Sequence, residues 1–312
     1  MHPRTRIALF SATLLTGACT FNVRTEAVEV SAESPAPVTR LRADLRALGD
    51  GVSGVDVTLR PGPTAGATVR VAALVNSNTP TDELRAGVRL AWTPERTDAT
   101  RLGVSYTGTW DESVFIDAVS ITLPEGRAVE LTLGASSLDG AGVRGDATVQ
   151  SGSGSITLRD ALAVDLVAGS GSLDVQAERA TRLATGSGSI RATLTGHLAT
   201  ATAGSGSIRA VVGSAAALET GSGSIHLTLT GATLAQDLTL TAGSGSVELV
   251  LACGTAARLD LAAGSGAVRV DAPSSSTDGT HAWTGALNGG GARVIRARTG
   301  SGSIRVTERC GA

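Results

Sequence analysis

Gly-Ser-Gly-Ser-Ile at residues 186–190 is the stretch that decides the fold, because near copies of it recur along the second half of the chain. Counted from the first glycine, the copies are spaced by roughly 17 to 22 residues, apart from one interval of almost double length. A period of this size is typical of repeat proteins, in which each repeat is one structural unit that stacks on the next. The copies begin at Gly152, Gly169, Gly186, Gly204, Gly221, Gly243, Gly264 and Gly300.

Each copy is followed by a run in which apolar and polar residues alternate. Ile190 and Ala192, for example, alternate with Arg191 and Thr193. Alternation with a period of two places the apolar side chains on one face of a β-strand. A second short run, such as the one over 216–218, precedes each glycine pair. Each repeat is therefore predicted to hold two short strands with Gly-Ser-Gly at the corner between them, where glycine supplies a positive φ.

Aligned on the first glycine, the repeats form columns of similar residues. Such columns arise when coils stack so that each strand pairs with its copy about 4.8 Å away. We therefore predict an all-β fold, with a parallel β-solenoid (β-helix) of short coils over residues 147–312 and a thin core of Ile, Leu, Val and Ala. The alternative, a flexible Gly/Ser linker, gives no reason for an aliphatic residue to follow every corner. One inward column reads Ile156, Leu173, Ile190, Ile208, Ile225, Val247, Val268 and Ile304. The outward column beside it reads Thr157, Asp174, Arg191, Arg209, His226, Glu248, Arg269 and Arg305.

Residues 41–146 have longer alternating runs and contain several of the few aromatic residues. The runs over 55–59 and 68–71 flank Pro-Gly-Pro at 61–63 and predict a hairpin. A stack of coils exposes its core and an unpaired edge at each end unless it is capped. We therefore predict that this region is an N-terminal antiparallel β cap.

The long interval after Gly264 contains Pro273, Trp283 and three consecutive glycines at 289–291. It predicts an excursion from the stack near residues 273–292, as a loop or a hairpin. We expect Trp283 to cover the end of a coil rather than to contact a ligand.

The first residues predict an export signal, because Arg4 and Arg6 precede an apolar run over 7–15 that is too short to span a bilayer as a helix. The run leads into Leu-Thr-Gly-Ala-Cys at 15–19, which resembles the end of a bacterial lipoprotein signal. This resemblance implies that residues 1–18 are removed and that Cys19 becomes a lipidated membrane anchor. Ordinary signal cleavage, giving a soluble periplasmic or secreted product, is the alternative.

Residues 19–40 contain Glu and Pro among small residues and predict a tether, with a first strand within 21–30 as the alternative. Thr20 and Phe21 stand where an Asp is associated with retention in the inner membrane. By resemblance, the anchor is therefore expected in the outer membrane of a bacterial cell envelope.

The chain has 26 Lys+Arg, all of them arginine, against 28 Asp+Glu, for a net charge of −2. It therefore has no overall basic field, which argues against nucleic acid as a partner. Arg191, Arg209, Arg269 and Arg305 nevertheless fall in the outward column and predict a partial stripe. The stripe is either a solvated face that discourages edge pairing or a ligand face for anionic polysaccharide or lipid headgroups.

Cys253 and Cys310 are the cysteines beyond the signal, in a compartment that permits disulfides. They occupy the same position in the coils that begin at Gly243 and Gly300. If coils stack in chain order, the coil of Gly264 separates them by roughly 10 Å, beyond the limit of about 7 Å between Cα atoms in a disulfide. A disulfide then requires the last segment to fold back, and both possibilities stay open.

The chemistry-bearing residues form no catalytic or metal-binding pattern in the sequence. His197, His226 and His281 fall at different positions of the repeat. Serine occupies the position where calcium-binding β-rolls need Asp, and no Lys follows the glycines as in a phosphate loop. We expect no cofactor and no enzymatic activity. The aspartates Asp160, Asp165, Asp174, Asp237, Asp260 and Asp271 are likewise out of register. The first serines of the corners are expected to form a hydroxyl ladder: Ser153, Ser170, Ser187, Ser205 and Ser222.

Motifs outside the repeat add a family resemblance. Leu-Pro-Glu-Gly at 123–126, Val-Glu-Leu at 129–131 and Val-Arg-Gly-Asp at 143–146 precede the repeats, and Arg-Thr-Gly-Ser-Gly-Ser-Ile at 298–304 ends them. With these motifs residues 117–305 resemble the bacterial putative-adhesin domain family of unknown function, which implies a β-solenoid and no catalytic residues. This chain has Ser almost throughout where the family often has Asp.

These observations favour a non-enzymatic, surface-tethered β-solenoid that binds an envelope glycan or protein or supports the envelope. A periplasmic sensor or accessory subunit of an envelope-stress system is the first alternative, and a glycan-active β-helix enzyme is the second. The sequence names neither the ligand nor the oligomeric state.

Overall fold

The computed structural model describes residues 25–34, 37–46, 55–62, 66–76, 88–95, 99–106, 114–278 and 280–310. Within these residues, every secondary-structure element is a β-strand. None of these residues belongs to a helix long and apolar enough to cross a membrane. The chain divides into two compact units between Asp146 and Ala147.

The first unit contains nine strands. They are β1 (Thr25–Glu33), β2 (Arg40–Asp44), β3 (Asp56–Gly62), β4 (Thr68–Asn76), β5 (Val88–Glu95), β6 (Ala99–Tyr106), β7 (Val114–Pro124), β8 (Ala128–Leu133) and β9 (Ser137–Ala141).

These nine strands form two ladders, ordered β8-β2-β6-β5 and β9-β3-β7-β4-β1. The first three strands of each ladder are parallel, and only β5, β4 and β1 run antiparallel to their neighbours. The prediction of an antiparallel cap is therefore wrong for β2, β3, β8 and β9 and holds only for the pairings of β1, β4 and β5. Most of this unit consists of coils, and antiparallel strands occupy only its outer edges.

Two local predictions for this unit are also wrong. β3 and β4 do not form a hairpin, because β3 lies between β9 and β7 and both of its edges are already occupied by parallel partners. β4 pairs with the other edge of β7. Residues 25–33, predicted to belong to the tether, form β1 and pair along their whole length with β4.

The second unit contains sixteen strands. They are β10 (Ala147–Ser151), β11 (Ile156–Ala168), β12 (Leu173–Thr185), β13 (Ile190–Leu194), β14 (His197–Ala203), β15 (Ile208–Val212), β16 (Ser214–Thr220), β17 (Ile225–Leu229), β18 (Leu238–Ala242), β19 (Val247–Ala252), β20 (Ala257–Ala263), β21 (Val268–Asp271), β22 (Ser274–Asp278), β23 (Ala282–Leu287), β24 (Val294–Thr299) and β25 (Ile304–Arg309).

Each coil of this unit contributes a segment before the corner and a segment after it to two parallel ladders, with β11 and β12 contributing to both. The predicted parallel β-solenoid is therefore confirmed. The inward column behaves as expected: from Ile156 to Val247 and at Ile304, each of its residues is at most 1% exposed. Only Val268, in the last coil of the stack, is half-buried.

The corner glycines are required by close backbone contact and not by a positive φ, which corrects the reason given from the sequence. None of them has a positive φ. Instead, a Cβ atom added to Gly206 would collide with the carbonyl oxygen of Gly188 in the preceding coil. The equivalent glycine of each of the other coils, from Gly171 onward, makes the same contact with the coil beside it. The coils can approach this closely only because Gly206 has no side chain to collide with the backbone of the preceding coil.

A ladder of serines runs beside these glycines. The sequence predicted that the first serine of each corner would form it, but the second serine does so. The N–H of Ser189 donates to Ser172 Oγ at 3.2 Å, and the N–H of Ser207 donates to Ser189 Oγ at 3.3 Å. The same bond joins each following coil to the one before. The first serines, such as Ser187 and Ser205, are exposed.

Buried threonines fix every second corner. Thr220 Oγ1 donates to the carbonyl of Gly206 at 2.8 Å and accepts the N–H of Gly223 at 3.1 Å. Thr185 and Thr299 make the equivalent pair of bonds. Each hydroxyl therefore joins its own corner to the corner of the neighbouring coil, and its burial is offset by two hydrogen bonds.

The coils do not stack in chain order at the C-terminal end. β24 lies between β18 and β20, and β25 lies between β19 and β21, in parallel register on both edges. The last coil of the sequence, which we call the inserted coil (residues 294–309), therefore separates the coils of Gly243 and Gly264. The serine ladder follows the same order, from Ser246 to Ser303 and then to the N–H of Ala267.

This order brings Cys253 and Cys310 together in a disulfide, with their Cα atoms 4.5 Å apart. The expected separation of roughly 10 Å is wrong, because the coil of Gly264 does not lie between the two cysteines. A polar contact supports the bridge: Glu308 accepts hydrogen bonds from the N–H of Gly254 and from Asn288 Nδ2. The end of the inserted coil is thus fixed covalently to the coil beside it.

The excursion predicted near 273–292 is a hairpin made of β22 and β23. β23 also pairs antiparallel with β20, on the edge that the inserted coil leaves open. Trp283 lies opposite Leu261 in this pairing and is 4% exposed. The expectation that Trp283 covers the end of a coil is therefore confirmed.

Replacing Gly206 by Ala tests the backbone contact between corners. We expect a loss of roughly 3 kcal/mol or more in the free energy of unfolding, because a backbone carbonyl cannot move away without separating two coils. Urea denaturation measures it. Ser205→Ala, at the exposed position beside it, is the matched control and should change stability by less than about 0.5 kcal/mol. Equal stability of the two variants would contradict the contact.

Replacing both Cys253 and Cys310 by Ser tests the covalent bond at the inserted coil. The variant should fold, because β25 keeps two parallel neighbours, but it should lose roughly 2–4 kcal/mol of stability since the bridge closes a long loop. Thiol titration of the unfolded, unreduced wild-type protein should detect neither cysteine. Two reactive thiols at these positions would refute the disulfide.

Candidate functional site

The outward column that follows the corner glycines is the candidate functional face of the second unit. Its true order along the stack is Thr157, Asp174, Arg191, Arg209, His226, Glu248, Arg305 and Arg269. The inserted coil has moved Arg305 ahead of Arg269. The four arginines predicted to form a partial stripe lie in two pairs with His226 and Glu248 between them, and the inserted coil changes only the order within the second pair.

Asp271 neutralises the second pair. Its carboxylate accepts hydrogen bonds from Arg269 Nε at 3.1 Å and from Arg305 at 2.9 Å. Arg305 also lies opposite Glu248. Because these charges are compensated locally, Arg269 and Arg305 belong to the ordinary ion-pair network of an exposed strand face.

The first pair has no such partner. Arg191 and Arg209 lie directly opposite each other on β13 and β15, and both are exposed. Within the described residues, neither guanidinium takes part in an ion pair. Asp174 lies opposite Arg191 on the other side but forms no ion pair with it. Two adjacent cations are thus left available to an anion from outside the chain.

His226 is the next residue of the outward column after Arg191 and Arg209. It lies opposite Arg209 on the one hand and Glu248 on the other. Its Nδ1 atom is 2.7 Å from Glu248 Oε2, so the carboxylate of Glu248 is directed towards the histidine. The two free cations are therefore bounded along the stack by Asp174 and by the His226–Glu248 pair.

On the face of the other ladder, two arginines of the inserted coil have carboxylate partners. Arg298 pairs with Asp260 at 2.7 Å, and Arg296 pairs with Asp237 at 3.3 Å. The N–H of Val294, assisted by Arg296, holds the pKa of Asp237 below its ordinary value. These contacts fix the edge of the inserted coil and offer no open cation.

A chain of polar contacts that the sequence did not predict joins His197, Ser214 and Gln236 of three neighbouring coils. His197 Nδ1 lies 3.0 Å from Ser214 Oγ, and His197 Nε2 lies 3.2 Å from Gln236 Nε2. Gln236 belongs to the longer connection between β17 and β18. Since an amide replaces the carboxylate that would orient a catalytic histidine, we assign this chain of contacts to holding that connection against the stack.

The three cysteines are the remaining residues that the sequence analysis singled out. Cys253 and Cys310 lie within 4.8 Å of a Glu308 oxygen, but as disulfide sulfurs they are not thiolate ligands for a metal. Cys19 lies outside the described residues, so its lipidation stays a prediction.

Comparison with known proteins places the fold in a family. The model of the Toastrack DUF4097 family matches residues 51–307, well over half of the chain. No curated protein matches the chain.

Solved structures give distant matches. A putative adhesin from Parabacteroides distasonis ATCC 8503 is 14% identical, with 92% of this chain and 98% of that chain covered and a TM-score of 0.48. A putative adhesin from Parabacteroides merdae ATCC 43184 is 9% identical, covering 92% and 96%, with a TM-score of 0.48. A putative cell adhesion protein from Clostridium sporogenes ATCC 15579 is 11% identical, covering 91% and 100%, with a TM-score of 0.24.

The family assignment rests on the match of the family model to residues 51–307. It agrees with the resemblance that the sequence motifs indicated. The chain belongs to the Toastrack DUF4097 family.

Proposed function

We propose that the chain is a non-enzymatic lipoprotein of the bacterial cell envelope, whose solenoid binds an envelope component at the cell surface. The observation that carries the proposal is the outward column, in which eight coils present one side chain each in straight parallel register. Long faces with a constant spacing suit extended ligands better than small substrates.

The arrangement of polar groups supports binding rather than catalysis. A glycan-cleaving site needs two carboxylates held several ångströms apart on facing positions. Most carboxylates near the outward arginines and histidines are paired with them, as in His226–Glu248 and Arg305–Asp271. Glu248 lies opposite His226 and Arg305, and Asp271 lies opposite Thr307, so neither of them faces the second carboxylate that such a site requires.

The anchor is the second part of the proposal. Lipidation at Cys19 would hold the folded units at a membrane surface through the segment that precedes β1. A single lipid chain binds membranes only marginally, whereas the several chains of a bacterial lipoprotein would hold it stably. The orientation that suits a surface-binding role is outward from the outer membrane.

Cys19→Ser tests the anchor. The variant should move from the membrane fraction to the soluble periplasmic or culture fraction, because it cannot be lipidated. Fractionation with immunodetection, alongside labelled-palmitate incorporation, measures the change. Cys310→Ser is the matched control and should stay with the membrane. A Cys19→Ser protein that remains membrane-bound and still incorporates palmitate elsewhere would exclude this anchor.

Protease added to intact cells separates the surface role from a periplasmic sensor. Digestion of the chain in intact cells supports the proposal. Digestion only after the outer membrane is opened would place the chain inside and overturn its surface role in favour of the sensor.

A further inference from the structure

We propose that Arg191 and Arg209 form a site for the anionic group of one acidic sugar unit, either a carboxylate or a phosphate. The proposal rests on the proposed function, since it names the class of envelope ligand that the solenoid would hold. It starts from a local anomaly in the charge pattern of the surface.

The anomaly is an uncompensated pair of like charges. Like charges directly opposite each other on neighbouring strands are unfavourable. The chain relieves the same arrangement elsewhere, because Asp271 bonds to both Arg269 and Arg305. At Arg191 and Arg209 no described residue does so. A bound anion would supply the missing charge, and guanidinium groups are well suited to carboxylate and phosphate oxygens.

The neighbours of this pair limit the ligand to a compact anion. Asp174 lies one strand away on one side, and the His226–Glu248 pair begins one strand away on the other. A polyanion laid along the stack would meet a carboxylate in each direction. The ligand must therefore cross the stack, parallel to the strands, with one charged group at the arginines.

The residues in that direction are uncharged and suit a sugar. Towards the corner, the same two coils present the exposed residues Ser189 and Ser207, whose hydroxyl oxygens each accept one backbone N–H and keep their own O–H to donate. Away from the corner they present Thr193 and Val211. Val211 is 36% exposed, unusually high for a large hydrophobic residue of this protein. Hydroxyl groups can bond to the ring hydroxyls of a sugar, and Val211 can contact its C–H face.

The same surroundings disfavour an anionic membrane as the ligand. A lipid surface is extended and negative, so it would approach Asp174 and Glu248 together with the arginines. Two cations flanked by carboxylates also lack the cluster of four to eight basic residues typical of headgroup binding. A single anionic group on a polar chain avoids both problems.

Calorimetric titration with a short oligogalacturonate and with an oligosaccharide carrying mannose phosphate tests the proposal. The wild-type protein should bind at least one of them, and it should not bind the methyl-esterified oligogalacturonate. Arg191→Gln/Arg209→Gln should weaken binding by at least about tenfold, because two charge-assisted contacts are lost.

Two further variants make the test specific to the site. Arg182→Gln/Arg258→Gln removes the same charge from exposed positions of the other ladder and should leave binding unchanged. Asp174→Asn should strengthen binding several-fold, since it removes the carboxylate opposite Arg191. A merely structural role of Arg191 and Arg209 gives no reason for Asp174→Asn to strengthen binding. Unaltered thermal unfolding establishes that the variants are folded.

The proposal is overturned if the wild-type protein binds neither acidic probe, if the methyl ester binds equally well, or if the double variant binds like the wild type. It is also overturned if phosphatidylglycerol vesicles are bound through these arginines while both sugars are not. Binding of purified envelope polysaccharide is measured in parallel. If wild type and double variant bind it equally, the arginine site fails and the proposed function stands, whereas no binding by either counts against the proposed function itself.

Discussion

The contact between equivalent corner glycines of neighbouring coils is the constraint on which the rest of the second unit depends. At Gly188 and Gly206 two backbones meet with no room for a Cβ atom, and the same contact repeats at each coil. It holds all coils at one spacing, so that the serine ladder, the buried threonine bonds and the inward aliphatic column can repeat with it. A side chain at this position would separate two coils and break all three together.

The same uniform spacing explains why the last coil can enter the stack out of order. Any coil with the corner motif offers the same carbonyl groups and the same apolar column, so the inserted coil fits between two others as well as beside one. Two consequences are that Arg305 lies opposite Glu248 on the outward face and that Cys310 forms a disulfide with Cys253. An equivalent arrangement occurs within the first unit, where β2 and β3 lie between strands that come later in the chain.

The sequence predicts the features that every coil shares, but it does not predict the order in which the coils stack. Period-two alternation and the aligned columns were enough for the parallel solenoid, for the inward position of Ile190 and for the outward position of Arg191. The columns are unchanged if two coils exchange places, so nothing in them could show that Ile304 belongs beside Val247. The wrong distance between the two cysteines follows from that one missing fact.

Other failures have a different physical cause. The hairpin predicted around Pro61 rested on two runs close in sequence, but β3 gains two parallel neighbours where it lies and a hairpin offers only one. We predicted a positive φ for the corner glycines because glycine often supplies it in turns. In the structure these glycines have no positive φ, and they are required because a side chain would collide with the neighbouring coil. The partner of Arg269 lies two residues away and was visible in the sequence as Asp271, although only the structure shows that Arg305 shares it.

Cross-linking of cysteine pairs tests the order of the coils most directly. In a Cys19→Ser protein that keeps the native disulfide, one variant carries Glu248→Cys with Arg305→Cys, and the other carries Glu248→Cys with Arg269→Cys. The account predicts an oxidative cross-link within the chain for the first variant, whose positions are neighbours, and none for the second, whose positions lie two strands apart. A cross-link in the second variant and none in the first would show that the coils stack in chain order and would contradict the inserted coil.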